Sequence, residues 1–132
     1  MEAFALSELQ WLGVAIVLGI FQLFWAAVAS RRQQGLKWAR GPRDEARPVS
    51  GMAARLNRAF ANYMETFPFF AAAVLAAYVL GEQDVLTFWG AAIYVLARIV
   101  YVPLYAWGTP LRSLVWFVSI LGLLTAVAGL FF

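Results

Sequence analysis

The chain contains no cysteine and no histidine. Without cysteine there is neither a disulfide nor a thiolate, either as metal ligand or as nucleophile. Without histidine the commonest metal ligand and the usual general base are gone, which excludes zinc chemistry and a Ser-His-Asp triad. Charge is scarce as well, at 13% of 132 residues, whereas hydrophobic residues make up 64% and aromatics 17%. That composition excludes an ordinary soluble domain and places the chain in a bilayer. Period-two alternation is also missing, and the apolar runs are too long and too rich in Ala and Leu for tilted barrel strands.

What is present is a set of four long apolar runs, each near the ~20 residues that cross a ~30 Å hydrocarbon core. Helices satisfy their own backbone groups in lipid, so the expected fold is all-α, an integral membrane four-helix bundle in a single domain over 1–132. The helices are predicted at about 9–29, 51–80, 85–107 and 112–132, with a connecting loop at about 30–50. The first run has no basic segment before it and is longer than the apolar core of a signal peptide, so it reads as a span.

The basic residues Arg31, Arg32, Lys37, Arg40, Arg43, Arg47, Arg55, Arg58, Arg98 and Arg112 all lie in, or on the approach to, the first and third connections. The opposite side offers Glu2, Glu8, Glu82 and Asp84, and no lysine or arginine. The positive-inside rule then predicts a cytoplasmic 30–50 loop and two non-cytoplasmic termini. A net charge of +3 read this way is a topology signal and an attraction for anionic lipid head groups. No basic surface interleaved with aromatics is present, so nucleic acid is not an expected partner. The 40–50 segment carries two prolines, a glycine and mixed charges and is predicted to be irregular and mobile, a linker or a lid, with Ser50 capping the second span.

Two polar stripes interrupt the apolar pattern. Arg55, Arg58, Asn62 and Glu65 fall within an arc of about 80° at 100° per residue. Tyr94, Arg98, Tyr101 and Tyr105 fall within about 60° on the third span. Ionisable groups in membrane helices are expensive, and four on one arc point to a partner helix or a ligand more than to snorkelling anchors. Tyr94 fits an interfacial aromatic belt as well as it fits a site. Pro103 predicts a kink, and the turn at Gly108 and Pro110 brings Arg112 back to the depth of Arg55 and Arg58.

The order R-x-x-R-A-x-x-N-x-x-E-x-x-P over Arg55, Arg58, Ala59, Asn62, Glu65 and Pro68 resembles a motif of the membrane-associated proteins in eicosanoid and glutathione metabolism. The order R-x-x-Y-x-x-x-Y-x-x-x-x-x-x-R over Arg98, Tyr101, Tyr105 and Arg112 is similar to that of their leukotriene C synthase and microsomal glutathione transferase branch, here in a bacterial-type member. Arg31 and Arg32 fall at the end of the first span, where the family places an arginine that reaches the ligand. The likeness covers essentially the whole chain.

The resemblance implies a homotrimer among membrane lipids, with glutathione as cosubstrate bound between subunits near the cytoplasmic face. Guanidinium forks match its two carboxylates and a carboxylate matches its ammonium, roles that Arg55, Arg58, Arg98 and Glu65 can fill. By that resemblance Arg58, Asn62 and Glu65 hold the peptide, and Arg31, Arg98, Tyr101 and Tyr105 complete the cradle. Arg112 then stabilises the thiolate, with Ser113 as a second donor. No metal is called for. The implied reaction is conjugation of a lipophilic electrophile or reduction of a lipid hydroperoxide. The electrophile is expected in an apolar groove of the third and fourth spans, where Trp107, Trp116 and Phe117 could contact it, although these aromatics fit helix packing or interfacial anchoring better.

Departures from the leukotriene C synthase pattern stand at Ala54, Phe60 and Thr66. They leave room for an alternative, a non-catalytic lipid-binding or scaffold protein of the same fold. A small transporter is weaker, since neither an inverted repeat nor a pair of broken helices is visible.

Overall fold

The structure is a computed structural model and describes residues 7–132. Glu2, one of the acidic topology markers, lies outside the described residues. Among the described residues the fold is all-α with no strand. Five helices form: α1 Glu8–Gln34, α2 Leu36–Arg40, α3 Gly51–Leu80, α4 Val85–Ala106 and α5 Leu111–Ala128. All but α2 are long and apolar enough to cross a membrane.

Local chemistry sets the ends. Ser7 and Gln10 form a capping box at the start of α1, with Gln10 N–H donating to Ser7 Oγ at 3.3 Å and Ser7 N–H to Gln10 Oε1 at 2.8 Å. Asp84 and Thr87 repeat the device on α4. Gly35, at φ +87°, breaks the chain between α1 and α2, so α1 runs five residues beyond the predicted 29. The loop predicted at 30–50 thus opens with helix, and its irregular part covers 41–50. Its start is not capped as expected: the Ser50 side chain makes no capping bond. Instead Gln33 of α1 holds the Ser50 backbone, accepting from its N–H at 2.9 Å and donating to its carbonyl at 2.9 Å. At the far end α5 stops at Ala128 rather than at 132.

Helix α4 sits at the centre, packed on α1, α3 and α5. Its contact with α5 runs backbone to backbone, because Gly90 and Gly122 present no side chain to the facing helix. One apolar cluster, including Leu12, Ala15, Phe70, Val74, Ala91 and Val95, fills one half of the bundle. A smaller one of Ala26, Leu56 and Ala106 fills the other.

Tyr94 lies in the core of the bundle and not in an interfacial belt. It is fully buried, stacked on Phe70 at 4.3 Å between ring centroids, and its hydroxyl shares a 2.8 Å hydrogen bond with Thr66 Oγ1. Tyr63 O–H donates to the Ala15 carbonyl and fastens α3 to α1. Helix α4 continues through Pro103 to Ala106.

Candidate functional site

The two polar stripes face each other across the antiparallel pair α3 and α4. Arg55 Nε donates to the Ala106 carbonyl at 2.8 Å, Arg58 Nε to Tyr105 OH at 3.3 Å, and Arg98 Nη2 to Asn62 Oδ1 at 2.9 Å. The pairings advance along α3 as they retreat along α4, as an antiparallel contact requires. Glu65, last in its stripe, is exposed, and its neighbour Thr66 takes the place opposite Tyr94.

Tyr105 is the focus. The Arg58 guanidinium carbon lies 5.9 Å from its ring centroid and that of Arg112, from α5, lies 4.4 Å away. Tyr101 meets Tyr105 edge-on at 5.6 Å, and Arg98 stacks on Tyr101 at 4.3 Å. Guanidiniums from α3, α4 and α5 are thereby held on a pair of tyrosine rings, an arrangement that cation–π attraction stabilises.

Their charge is uncompensated. The one ion pair among the described residues joins Arg47 to Glu45 in the loop, at 3.9 Å, so Arg55, Arg58, Arg98 and Arg112 have no carboxylate partner. Arg112 also sits in the first turn of α5, whose Pro110 end has no side-chain cap. Free N–H groups already give a helix N-terminus positive potential, and adding a cation there is unfavourable until an anion joins it. The arrangement carries the positive potential and donor geometry that complement an anion.

The remaining expected residues divide. Arg55 closes the C-terminal end of α4, and its side chain covers Gly108, whose φ of +73° makes the tight turn into α5. Arg98 and Tyr101 are buried to 1% exposure or less, beneath the surface that Arg58, Asn62, Tyr105 and Arg112 present. Ser113 is exposed beside Arg112. Arg31 Nη1 bonds Gln34 Oε1 of its own helix at 2.7 Å and is not joined to the α3–α4 cluster by any hydrogen bond within the chain.

Along the third and fourth spans, where a groove is expected, α4 and α5 approach backbone to backbone at Gly90 and Gly122. Trp107 instead meets Trp25 of α1 at 6.3 Å, and Trp116 meets Phe117 at 5.2 Å. An apolar groove of about 220 Å³ opens elsewhere, between α1 and α3, lined by residues such as Ile16, Gly19, Phe60, Tyr63, Met64 and Phe67. The 41–50 segment is irregular but tethered. Gln34 Nε2 donates to the Arg47 carbonyl at 2.9 Å, Arg47 Nη1 to the Gln34 carbonyl at 2.8 Å, and Trp38 Nε1 to the Glu45 carbonyl at 2.6 Å. It folds onto α2 and the end of α1, around its own crevice, and none of these bonds reaches the arginine cluster.

Two residues of the cluster's surroundings had escaped the stripe pattern. Tyr63 puts its ring 5.5 Å from the Arg98 guanidinium, and lies off the stripe by helical angle. Gln22 is 2% exposed in the middle of α1. An amide inside an apolar span was itself a legible signal.

Among the described residues no group of three or more His, Cys, Asp or Glu side chains is placed to hold a metal. A protein-family model for the MAPEG family matches residues 9–132. Neither a curated protein nor a solved structure matches the chain.

Proposed function

This chain belongs to the MAPEG family, and from that premise we propose that it is a glutathione-dependent membrane enzyme acting on lipophilic electrophiles or lipid hydroperoxides. The observation that carries the reading is the set of guanidiniums around Tyr101 and Tyr105 with no carboxylate partner. Glutathione, with two carboxylates, one ammonium and one ionisable thiol, complements that set and supplies the thiol that a chain lacking cysteine does not have.

In this reading Arg58, with Arg55 behind it, holds carboxylate, Asn62 offers its free amide N–H, and the unpaired Glu65 takes the ammonium. Arg98 and Tyr101 act from beneath, fixing Asn62 and Tyr105. Arg112, its guanidinium carbon 4.4 Å from the Tyr105 ring, lowers the energy of the negative sulfur together with the N-terminus of α5. Ser113 is the second donor. Arg31 joins from a neighbouring subunit, since it stands apart from the cluster in its own chain.

A homotrimer follows the same logic. Glu65 and Arg58 are exposed on a span, and a charged group facing lipid costs roughly 3 kcal/mol at mid-membrane. Covering that face with another copy removes the cost and completes the site. The cluster lies on the side of the basic connections, which puts it toward the cytoplasm with both termini opposite.

The α1–α3 groove favours a second reading, a lipid-binding protein without catalysis. One experiment separates the two. Bound thiolate absorbs in the ultraviolet, and its rise with pH is compared in wild type and Arg112→Ala together with turnover of a lipophilic electrophile. Arg112→Ala should lose about 10²-fold or more in rate and ionise bound thiol at higher pH. Glu65→Ala and Arg58→Ala should mainly weaken glutathione binding. Absence of thiolate absorbance and of turnover in the wild type refutes the enzyme and leaves the lipid-binding reading.

A further inference from the structure

Between the two apolar clusters lies a layer of a different kind. Gln22 of α1, Ala59 and Tyr63 of α3, and Arg98, Tyr101 and Val102 of α4 are each 2% exposed or less. Four polar atoms in it have no hydrogen-bond partner among the described residues: Nε2 and Oε1 of Gln22, and Nε and Nη1 of Arg98. A buried, unpaired polar group is destabilising, and more so when charged. Two such residues in one bundle are not independent accidents if they share a layer.

Their register says that they do. Helices α1 and α4 run parallel: Leu12 and Ala15 share a cluster with Ala91 and Val95, and Ala26 shares one with Ala106. Gln22, one turn before Ala26, therefore lies level with the turn before Ala106, near Val102. The Arg98 guanidinium reaches that level, since it stacks on Tyr101 at 4.3 Å. Tyr63, whose ring would lie 3.3 Å from a Cβ at Gly19 and is 5.5 Å from the Arg98 guanidinium, walls the layer on the side of the first cluster. Ala59 and Ala26, both buried, are the small side chains beside it.

We propose that Gln22 is a positioning residue, joined to Arg98 by internal water. Such a site needs two to four polar partners and space for a probe sphere, and an amide facing a guanidinium supplies two donors, one acceptor and a charge. Gln22 then fixes the guanidinium plane on which Tyr101 stacks and from which Nη2 holds Asn62. A glutamine in the centre of a span that otherwise faces lipid and apolar neighbours thereby orients one floor of the cluster from a helix that contributes nothing else to it within the chain. The link between Gln22 and Arg98 stands on packing alone, and only its effect on ligand rests on the proposed function.

The test is a double-mutant cycle in detergent micelles, with unfolding equilibria measured for Gln22→Leu, Arg98→Met, the double variant and Gln22→Glu. Coupled residues in one network deviate from additivity by roughly 2- to 150-fold in the equilibrium constant. Deviation above twofold is expected, with the double variant less destabilised than the product of the singles. Gln22→Glu discriminates further, because a carboxylate facing the guanidinium is compensated and leaves stability near that of wild type, whereas one buried away from it lowers stability strongly. Additive singles together with a destabilised Gln22→Glu overturn the inference. Glutathione dissociation constants complete the test: Gln22→Leu should weaken binding several-fold, and Gln22→Glu should restore it. Coupling in stability with unchanged affinity overturns the positioning role. If wild type binds no glutathione, the proposed function fails while the cycle still decides whether Gln22 and Arg98 act together.

Discussion

Replacing Gly90 by alanine tests the packing that places α5, and with it Arg112, against α4. A Cβ built on Gly90 would lie 2.4 Å from Ala126 N, 2.7 Å from Ala126 Cα and 2.7 Å from Gly122 O. These are backbone atoms that cannot rotate aside, so the helices must separate by about 1 Å to restore ordinary contact. Overpacking of this kind costs about 1–3 kcal/mol, and an unyielding backbone neighbour puts Gly90→Ala at the upper end. The gain in helix propensity from Gly to Ala, about 1 kcal/mol, offsets part of it. The expected net loss is about 2 kcal/mol, some 30-fold in the folding equilibrium. Gly13 provides the matched control, since a Cβ there meets nothing within 4 Å. Gly13→Ala should be neutral or stabilising by up to about 1 kcal/mol. The assay is equilibrium unfolding in mixed micelles with increasing denaturing detergent, followed by far-ultraviolet circular dichroism. A Gly90→Ala protein as stable as Gly13→Ala would refute the reasoning, because it would mean that α4 and α5 do not touch through their backbones.

Three further outcomes are expected. Thr66→Val leaves the buried Tyr94 hydroxyl without its 2.8 Å partner and should cost about 1–3 kcal/mol in the same assay, with Tyr94→Phe added to it recovering part of the loss. Arg55→Met removes a charged donor from the Ala106 carbonyl and should lower stability by about 1.5–3 kcal/mol even without ligand; an effect seen only with glutathione present would make Arg55 a ligand contact instead of a helix cap. Reporter fusions at Phe132 should be active only outside the cytoplasm, and cytoplasmic activity would invert the whole placement of the cluster.

Much of the site was legible because helical periodicity is strict. Residues three, four and seven apart share a face whatever surrounds them, so Arg55, Arg58 and Asn62 and their counterparts Arg98, Tyr101 and Tyr105 could be grouped before any fold was known. Tyr94 satisfied the same spacing and still left the cluster, because Thr66 offered it a partner and Phe70 a stacking surface. Tyr63 could not be grouped by spacing, since it approaches Arg98 from another face of α3, and Gln22 stands buried on another helix.

Composition and hydropathy determined the solvent, and through it the helical class, since backbone polar groups in lipid must be paired within the span. The lack of cysteine and histidine likewise determined that the chain itself offers neither a thiolate nor an imidazole. Tertiary structure alone decided which arginines are buried and which are open, that Arg55 caps a helix, that Gln33 rather than the Ser50 side chain holds the start of α3, and that α4 meets α5 backbone to backbone at Gly90 and Gly122. Those are questions of distance between helices. Spacing along one chain specifies a face, but the depth at which a side chain ends depends on what the facing helix leaves unfilled.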